Sequence, residues 1–190
     1  MKRAAILLVL LLAGAGSAVA QAPWREGATE LGVISGGGPA IVGGRSDRGF
    51  WLVGGRWGRQ LTADRGKGWM RGHVQYAIEA IPVYFQFQSD TVYGAGLTPI
   101  MLRYQLTSNR TLAPFVEAGA GILATMKDVP EGTANFNFTP QAGIGVQYIT
   151  ARQTGWTLGV RYHHTSNAGI ARHNPGINAV MIYAAVSWFR

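Results

Sequence analysis

Cysteine is absent from the 190 residues, so neither a disulfide framework nor a thiolate metal site is available. Without cysteine, an exported chain of this size is not a small domain stapled by disulfides. Charge is also scarce, at 14% of residues, against roughly 25% in an ordinary soluble domain. Beyond residue 20 no stretch approaches the roughly 20 apolar residues that a membrane-spanning helix needs. What the chain does have is glycine, 27 residues of it, and 11% aromatics. A sequence poor in water-facing charge and lacking a spanning helix is reconciled by a closed transmembrane β-barrel. Its outside faces lipid, and every backbone group is paired between strands.

The one long apolar run lies at the start. Met1, Lys2 and Arg3 precede apolar residues 4–15, and small residues follow up to Ala18-Val19-Ala20. A charged head, a short apolar run and an A-x-A end read as a cleaved export signal over 1–20. The mature chain is expected to begin near Gln21, leaving one domain over 21–190. The formal charge of +8 falls to +6 when Lys2 and Arg3 are removed. For an exported chain that basic balance points to anionic lipid headgroups and away from nucleic acid.

Glycine and polar clusters divide the mature chain into segments that alternate with a period of two. Eight strands are predicted, over 30–42, 49–61, 69–86, 94–106, 114–125, 136–150, 156–166 and 177–189. The fold class is therefore all-β, an eight-stranded antiparallel transmembrane barrel. An even count puts both termini on the periplasmic side. The outer loops become 43–48, 87–93, 126–135 and 167–176, and the inner turns fall at 63–67, 108–110 and 151–155.

Alternation is clearest in the seventh strand, where Trp156, Leu158, Val160, Tyr162, His164 and Ser166 share one face and Thr157, Gly159, Arg161, His163 and Thr165 the other. Val180, Ile182, Ala184, Val186 and Trp188 repeat the lipid-compatible stripe in the eighth. Arg71, His73, Gln75, Glu79, Arg103, Gln105 and Glu117 are assigned to the lumen, as a polar network filling a barrel too narrow for a channel. Trp51, Trp69, Trp156, Tyr162 and Trp188 are assigned to interfacial girdles. The ending Val186-Ser187-Trp188-Phe189-Arg190 is similar to the aromatic terminal strand of outer-membrane proteins, with the aromatic penultimate.

The segment from Tyr162 to Ile170 is polar at the top of a lipid-facing stripe, where polarity costs free energy unless it lies near the interface. His164 and Ser166, two apart on one strand face, lie about 7 Å apart between Cα atoms. That is within reach of a general base acting on a hydroxyl nucleophile. If the hairpin pairs Ser166 with Gly176, then His164 faces Asn178, whose carbonyl is able to accept the second ring N–H. Asn178 read alone is a strand-start or turn residue after Asn174-Pro175-Gly176.

The block His164-Thr165-Ser166-Asn167-Ala168-Gly169-Ile170, followed by Asn174-Pro175-Gly176-Ile177-Asn178 and a terminal strand, resembles the PagL family of lipid A 3-O-deacylases. The resemblance implies a Ca²⁺-independent serine esterase that needs no cofactor or metal. It would act on the 3-position acyl ester of lipid A from the outside wall of the barrel. It assigns Ser166 as nucleophile, His164 as general base, and Asn167 and Gly169 to the oxyanion hole, with Asn174 as a polar loop residue beside them. Asn178 occupies the position where the family's triad carries Glu. The end of the seventh strand would meet the outer leaflet, where lipopolysaccharide resides. Arg45, Arg48, Arg172 and His173 in the outer loops are either lipid A phosphate ligands or ordinary solvated charge.

Two other readings remain at this level. One is a non-catalytic barrel that is structural or binds a hydrophobic ligand; it has no use for His164 and Ser166 on the lipid stripe. The other is an acyltransferase, which needs an interior acyl-holding cavity that a charged lumen does not provide. The oligomeric state stays open, a homodimer included.

Overall fold

The computed structural model describes residues 24–41, 48–109 and 111–190. The export signal over 1–20, Arg45 and most of the 43–48 loop lie outside the described residues. Eight antiparallel strands close into a barrel in simple sequence order. They are β1 (Thr29–Pro39), β2 (Gly49–Gln60), β3 (Gly72–Phe87), β4 (Thr91–Leu106), β5 (Leu112–Thr125), β6 (Phe136–Ile149), β7 (Thr154–Thr165) and β8 (Ile177–Phe189). β1 pairs with both β2 and β8, which leaves no sheet edge.

Most boundaries agree with the period-two reading, and the departures have local causes. Residues 68–70 form a short 3₁₀ turn ahead of β3, so Trp69 is outside the strand. Arg71 follows that turn and does not face the lumen; its Nε donates to Asp64 Oδ2 at 3.1 Å on the rim. The inward polar alternation of β3 starts at His73. β4 begins at Thr91, three residues early, which shortens the β3–β4 connection to 88–90. Prolines inside strands cannot donate to the ladder, and two of them lie where the register shifts. Pro82 lies in the register shift between Ile81 and Tyr84, and Pro99 in that between Leu97 and Ile100.

The lumen is filled. Part of it holds an ion network in which Arg161 spans two carboxylates. Arg161 donates to Glu79 at 2.7 and 2.8 Å and to Glu117 Oε1 at 2.6 Å. Arg103 donates twice to Glu117 Oε2, at 3.1 and 3.0 Å, and Arg56 donates to Glu79 at 2.6 Å. Glu30 accepts from Gln75 and Gln147, and Gln105 donates to Gln147. Charges in such a place persist only when paired and hydrogen-bonded. Elsewhere the filling is apolar, with Ile34, Phe50, Leu52, Ile81, Tyr84, Leu123 and Met181 in one cluster. Trp24, Ala113, Ile149 and Phe189 plug the end that carries the termini; Ala40, Val92, Val129 and Ile177 plug the opposite end. A cavity bordered by Glu79, Thr98, Gln141, Arg161 and His163 measures about 20 Å³, room for a water and not for an acyl chain.

The outward residues are apolar. Leu31, Val33, Leu102, Val116, Ile144, Leu158, Val160 and Ile182 are all exposed. Aromatic rings collect toward both ends of this wall, Trp156, Tyr148 and Trp188 at one and Trp51, Phe87, Tyr93 and Phe136 at the other. That is the profile of a lipid-facing band with two interfacial girdles. No described helix is long and apolar enough to cross a membrane, and crossing here is done by strands.

Candidate active site

β7 and β8 form a hairpin whose register is unbroken from Thr154↔Trp188 to Thr165↔Ile177. Because side chains alternate, Trp156, Leu158, Val160 and Tyr162 stand on the outer wall, and His164 and Ser166 continue the same stripe to its end. Arg161, His163 and Thr165 point into the lumen, where His163 packs against Phe50 with ring centres 4.8 Å apart. Two adjacent histidines therefore belong to opposite sides of the wall, and His164 is the one that shares a face with Ser166.

His164 pairs directly with Asn178 across the hairpin. Its Nδ1 lies 2.6 Å from Asn178 Oδ1. A carbonyl oxygen only accepts, so at that separation Nδ1 is the donor, and in the neutral ring Nε2 is left with the lone pair. A general base needs that tautomer. Asn178 is the second residue of β8 and not part of the turn. Tyr162 adds a contact that its assignment to a girdle does not foresee: its hydroxyl donates to the same Asn178 Oδ1, also at 2.6 Å.

Gly176 supplies the room. Its φ is +64°, and a Cβ there would stand 3.0 Å from His164 Cε1 and 3.5 Å from Nε2. A side chain would therefore be strained and would press on the imidazole. The asparagine-proline-glycine signal reads as a turn; its packing under the ring emerges only in three dimensions.

Ser166 sits just past β7, fastened to β6 by a two-way bridge. Phe138 N–H donates to Ser166 O at 2.7 Å, and Ser166 N–H donates to Phe138 O at 3.1 Å. The chain then turns tightly, with Ala168 at φ +52° and Gly169 at φ +81°. Asn167 is buried and organises this turn. Its N–H donates to Asn174 Oδ1 at 3.0 Å, its Nδ2 donates to His173 O at 2.8 Å, and its Oδ1 accepts from Gly169 N–H at 2.9 Å. The structure thus brings Asn167, Gly169 and Asn174 together beside Ser166. The N–H groups of Asn167 and Gly169 are both engaged within the turn.

Of the basic loop residues, Arg172 and His173 are exposed on the connection that carries the site. Arg48 is buried, and its Nη2 lies 3.1 Å from Glu131 Oε2. Among the described residues, no group of three His, Cys, Asp or Glu side chains could hold a metal ion.

Known proteins share this fold. A family model described as Lipid A 3-O-deacylase (PagL) matches residues 42–187. The lipid A deacylase PagL of Pseudomonas aeruginosa is 32% identical over 77 residues, which cover 38% of this chain and 42% of that protein. The aligned stretch therefore spans less than half the length of that curated relative. The crystal structure of the outer membrane enzyme PagL superposes with a TM-score of 0.59 at 21% identity, covering 81% of this chain and 97% of the other. The N-terminal β-barrel domain of Pseudomonas aeruginosa OprF superposes at 0.56 and 14% identity, covering 87% and 98%. The outer membrane protein OprG from the same species does so at 0.58 and 8%, covering 87% and 97%. At these identities the structural likenesses establish the fold. The family match runs from residue 42 almost to the end of β8, and by it the chain belongs to the PagL family of lipid A 3-O-deacylases, β-barrels of the outer membrane.

Proposed function

We propose that this chain is a serine esterase that removes the acyl chain at the 3-position of lipid A, with Ser166 as nucleophile and His164 as general base. The observation that carries the reading is the 2.6 Å contact between His164 Nδ1 and Asn178 Oδ1, on the same lipid-facing stripe as Ser166. The contact fixes Nδ1 as donor and leaves Nε2 basic. In the first step Nε2 takes the Ser166 hydroxyl proton as Oγ attacks the ester carbonyl. The tetrahedral intermediate collapses with release of the sugar 3-hydroxyl, which takes its proton back from the imidazolium. Water then adds to the acyl-serine by the same route in reverse, and the fatty acid leaves.

The oxyanion is assigned to the turn after Ser166. In the structure Asn174 Oδ1 and Asn167 Oδ1 hold the N–H groups of Asn167 and Gly169 at 3.0 and 2.9 Å. The developing oxyanion competes with two neutral amide oxygens for those donors, and a charge-assisted hydrogen bond is roughly twice as strong as a neutral one. Asn178 in place of Glu orients the ring without adding negative charge, so the imidazolium gains less stabilisation than in a carboxylate triad.

The start of β1 and the end of β8 lie at one end of the barrel and the candidate site at the other. With the termini in the periplasm the site meets the outer leaflet, and a lipid substrate reaches it by lateral diffusion. Arg172 and His173 are placed to meet the lipid A phosphates. The reading is tested by mass spectrometry of lipid A from cells expressing the wild type or Ser166→Ala. The expected result is loss of one 3-hydroxyacyl chain with the wild type alone. Identical spectra would overturn the assignment in favour of a non-catalytic barrel.

A further inference from the structure

We propose that Tyr162 is a positioning residue of this site: its hydroxyl holds the Asn178 amide with the carbonyl turned toward His164. The inference rests on the esterase reading above and concerns how an amide does the work of the family's carboxylate.

A carboxylate offers a ring N–H two equivalent oxygens, whichever way it turns. An amide does not. Rotated by half a turn, Asn178 would present Nδ2–H to His164 Nδ1, which then has to accept. The ring proton would move to Nε2, the atom that must be free to take the serine proton. Tyr162 is placed to favour the carbonyl face. It stands opposite Val180, which makes Asn178 its diagonal neighbour across the hairpin, within the reach of an aromatic side chain. Its hydroxyl donates to Asn178 Oδ1 at 2.6 Å, the same separation as the imidazole on the same oxygen. A phenol donates more readily than it accepts, because its oxygen lone pair is drawn into the ring. It therefore prefers the carbonyl face of the amide to the NH₂ face.

The orientation of the ring agrees. An exposed tyrosine in an interfacial girdle serves membrane anchoring by aiming its hydroxyl at the headgroups and water. Tyr162 is 46% exposed, yet its hydroxyl is turned sideways along the wall onto β8. At the lipid boundary little water competes for Asn178 Oδ1, so the Tyr162 hydroxyl adds its own preference for the carbonyl face to that of the imidazole.

The test is a cycle on the full-length barrel in detergent, in which Tyr162→Phe is made in the wild-type background and in the Asn178→Asp background. Deacylation of purified lipopolysaccharide and the ¹⁵N shifts of the His164 ring, which report its tautomer, are measured on all four proteins. Heat-modifiable gel mobility confirms that each barrel is folded. With Asn178 present, Tyr162→Phe is expected to lower kcat roughly tenfold with KM unchanged, and to shift His164 from the Nδ1–H form to a mixture. In the Asn178→Asp background it is expected to change kcat by less than about twofold and to leave the tautomer alone, since a carboxylate has no wrong face. An unchanged tautomer and kcat in Tyr162→Phe would overturn the proposal. An equal loss in both backgrounds would also overturn it, marking packing or anchoring instead. If the wild type and Ser166→Ala release no acyl chain alike, the esterase reading fails, while the tautomer measurement still decides whether Tyr162 sets the amide.

Discussion

His164 and Asn178 face one another on a directly paired rung of the β7–β8 hairpin, with Nδ1 and Oδ1 2.6 Å apart. On the proposed esterase reading, the contact makes Asn178 the third member of the site. Asn178→Ala removes the acceptor that fixes the tautomer, and we predict a fall in kcat of roughly 10²–10⁴-fold, by analogy with triads that have lost their orienting group. Asn178→Asp keeps the shape and adds charge beside the imidazolium, so kcat is expected to rise about tenfold. Deacylation assays on purified lipopolysaccharide check both, and an unchanged rate in Asn178→Ala would remove Asn178 from the mechanism.

Gly176 is predicted to be intolerant of any side chain. Gly176→Ala places a methyl 3.0 Å from His164 Cε1 on a backbone at φ +64°. The left-handed conformation costs the alanine about 1–2 kcal/mol locally. Displacement of the ring is expected to lower kcat on the order of 10²-fold. Thermal unfolding of the barrel should move little, since the position lies at the mouth of one hairpin. Wild-type kinetics in Gly176→Ala would show that the ring has room to spare.

Asn167 fastens the turn after Ser166 at three points, through its N–H, its Nδ2 and its Oδ1. Asn167→Ala deletes the two side-chain bonds, each contributing about 1 kcal/mol net. The Gly169 amide is then expected to exchange hydrogen faster, and kcat to fall roughly 10²–10³-fold as the oxyanion donors lose their setting. Hydrogen exchange and kinetics measured on the same preparation separate the two effects. Fast exchange with unchanged kcat would move the oxyanion donors elsewhere.

Glu117 tests the lumen, and here stability is what changes. It accepts from Arg103, Arg161 and Tyr183, and all of these partners are buried. Glu117→Ala takes a carboxylate from two guanidinium groups at once, and breaking a buried pair from one side costs about 3–5 kcal/mol. Unfolding in urea from detergent micelles should show that loss. The rate per folded molecule is expected to stay near wild type, because the site is on the other side of the wall.

Much of this protein is legible in its residues. The period-two alternation of Trp156, Leu158, Val160 and Tyr162 depends only on the geometry of one strand, so it assigns a face before any partner is known. The same parity separates His163 from His164. The lumen assignment of Glu79, Arg103 and Glu117 follows from it too, because a narrow barrel has only an inside and an outside. Arg71 departs from its lumen assignment because alternation alone does not mark where a strand begins, and a 3₁₀ turn at 68–70 shifts that start.

The barrel, its two faces and the His164–Ser166 stripe follow from the chain alone, since they come from local alternation and from spacing along single segments. Which atoms meet is a property of the folded whole. Folding set Asn178 Oδ1 between two donors, turned Tyr162 from an anchor into a neighbour of the site, and placed Gly176 beneath the imidazole. It also chose which arginine meets which glutamate inside the lumen. Periodicity fixes the side of a sheet on which a residue stands. Contacts depend on register between strands, closure of the barrel and the reach of side chains, none of which any one segment encodes alone.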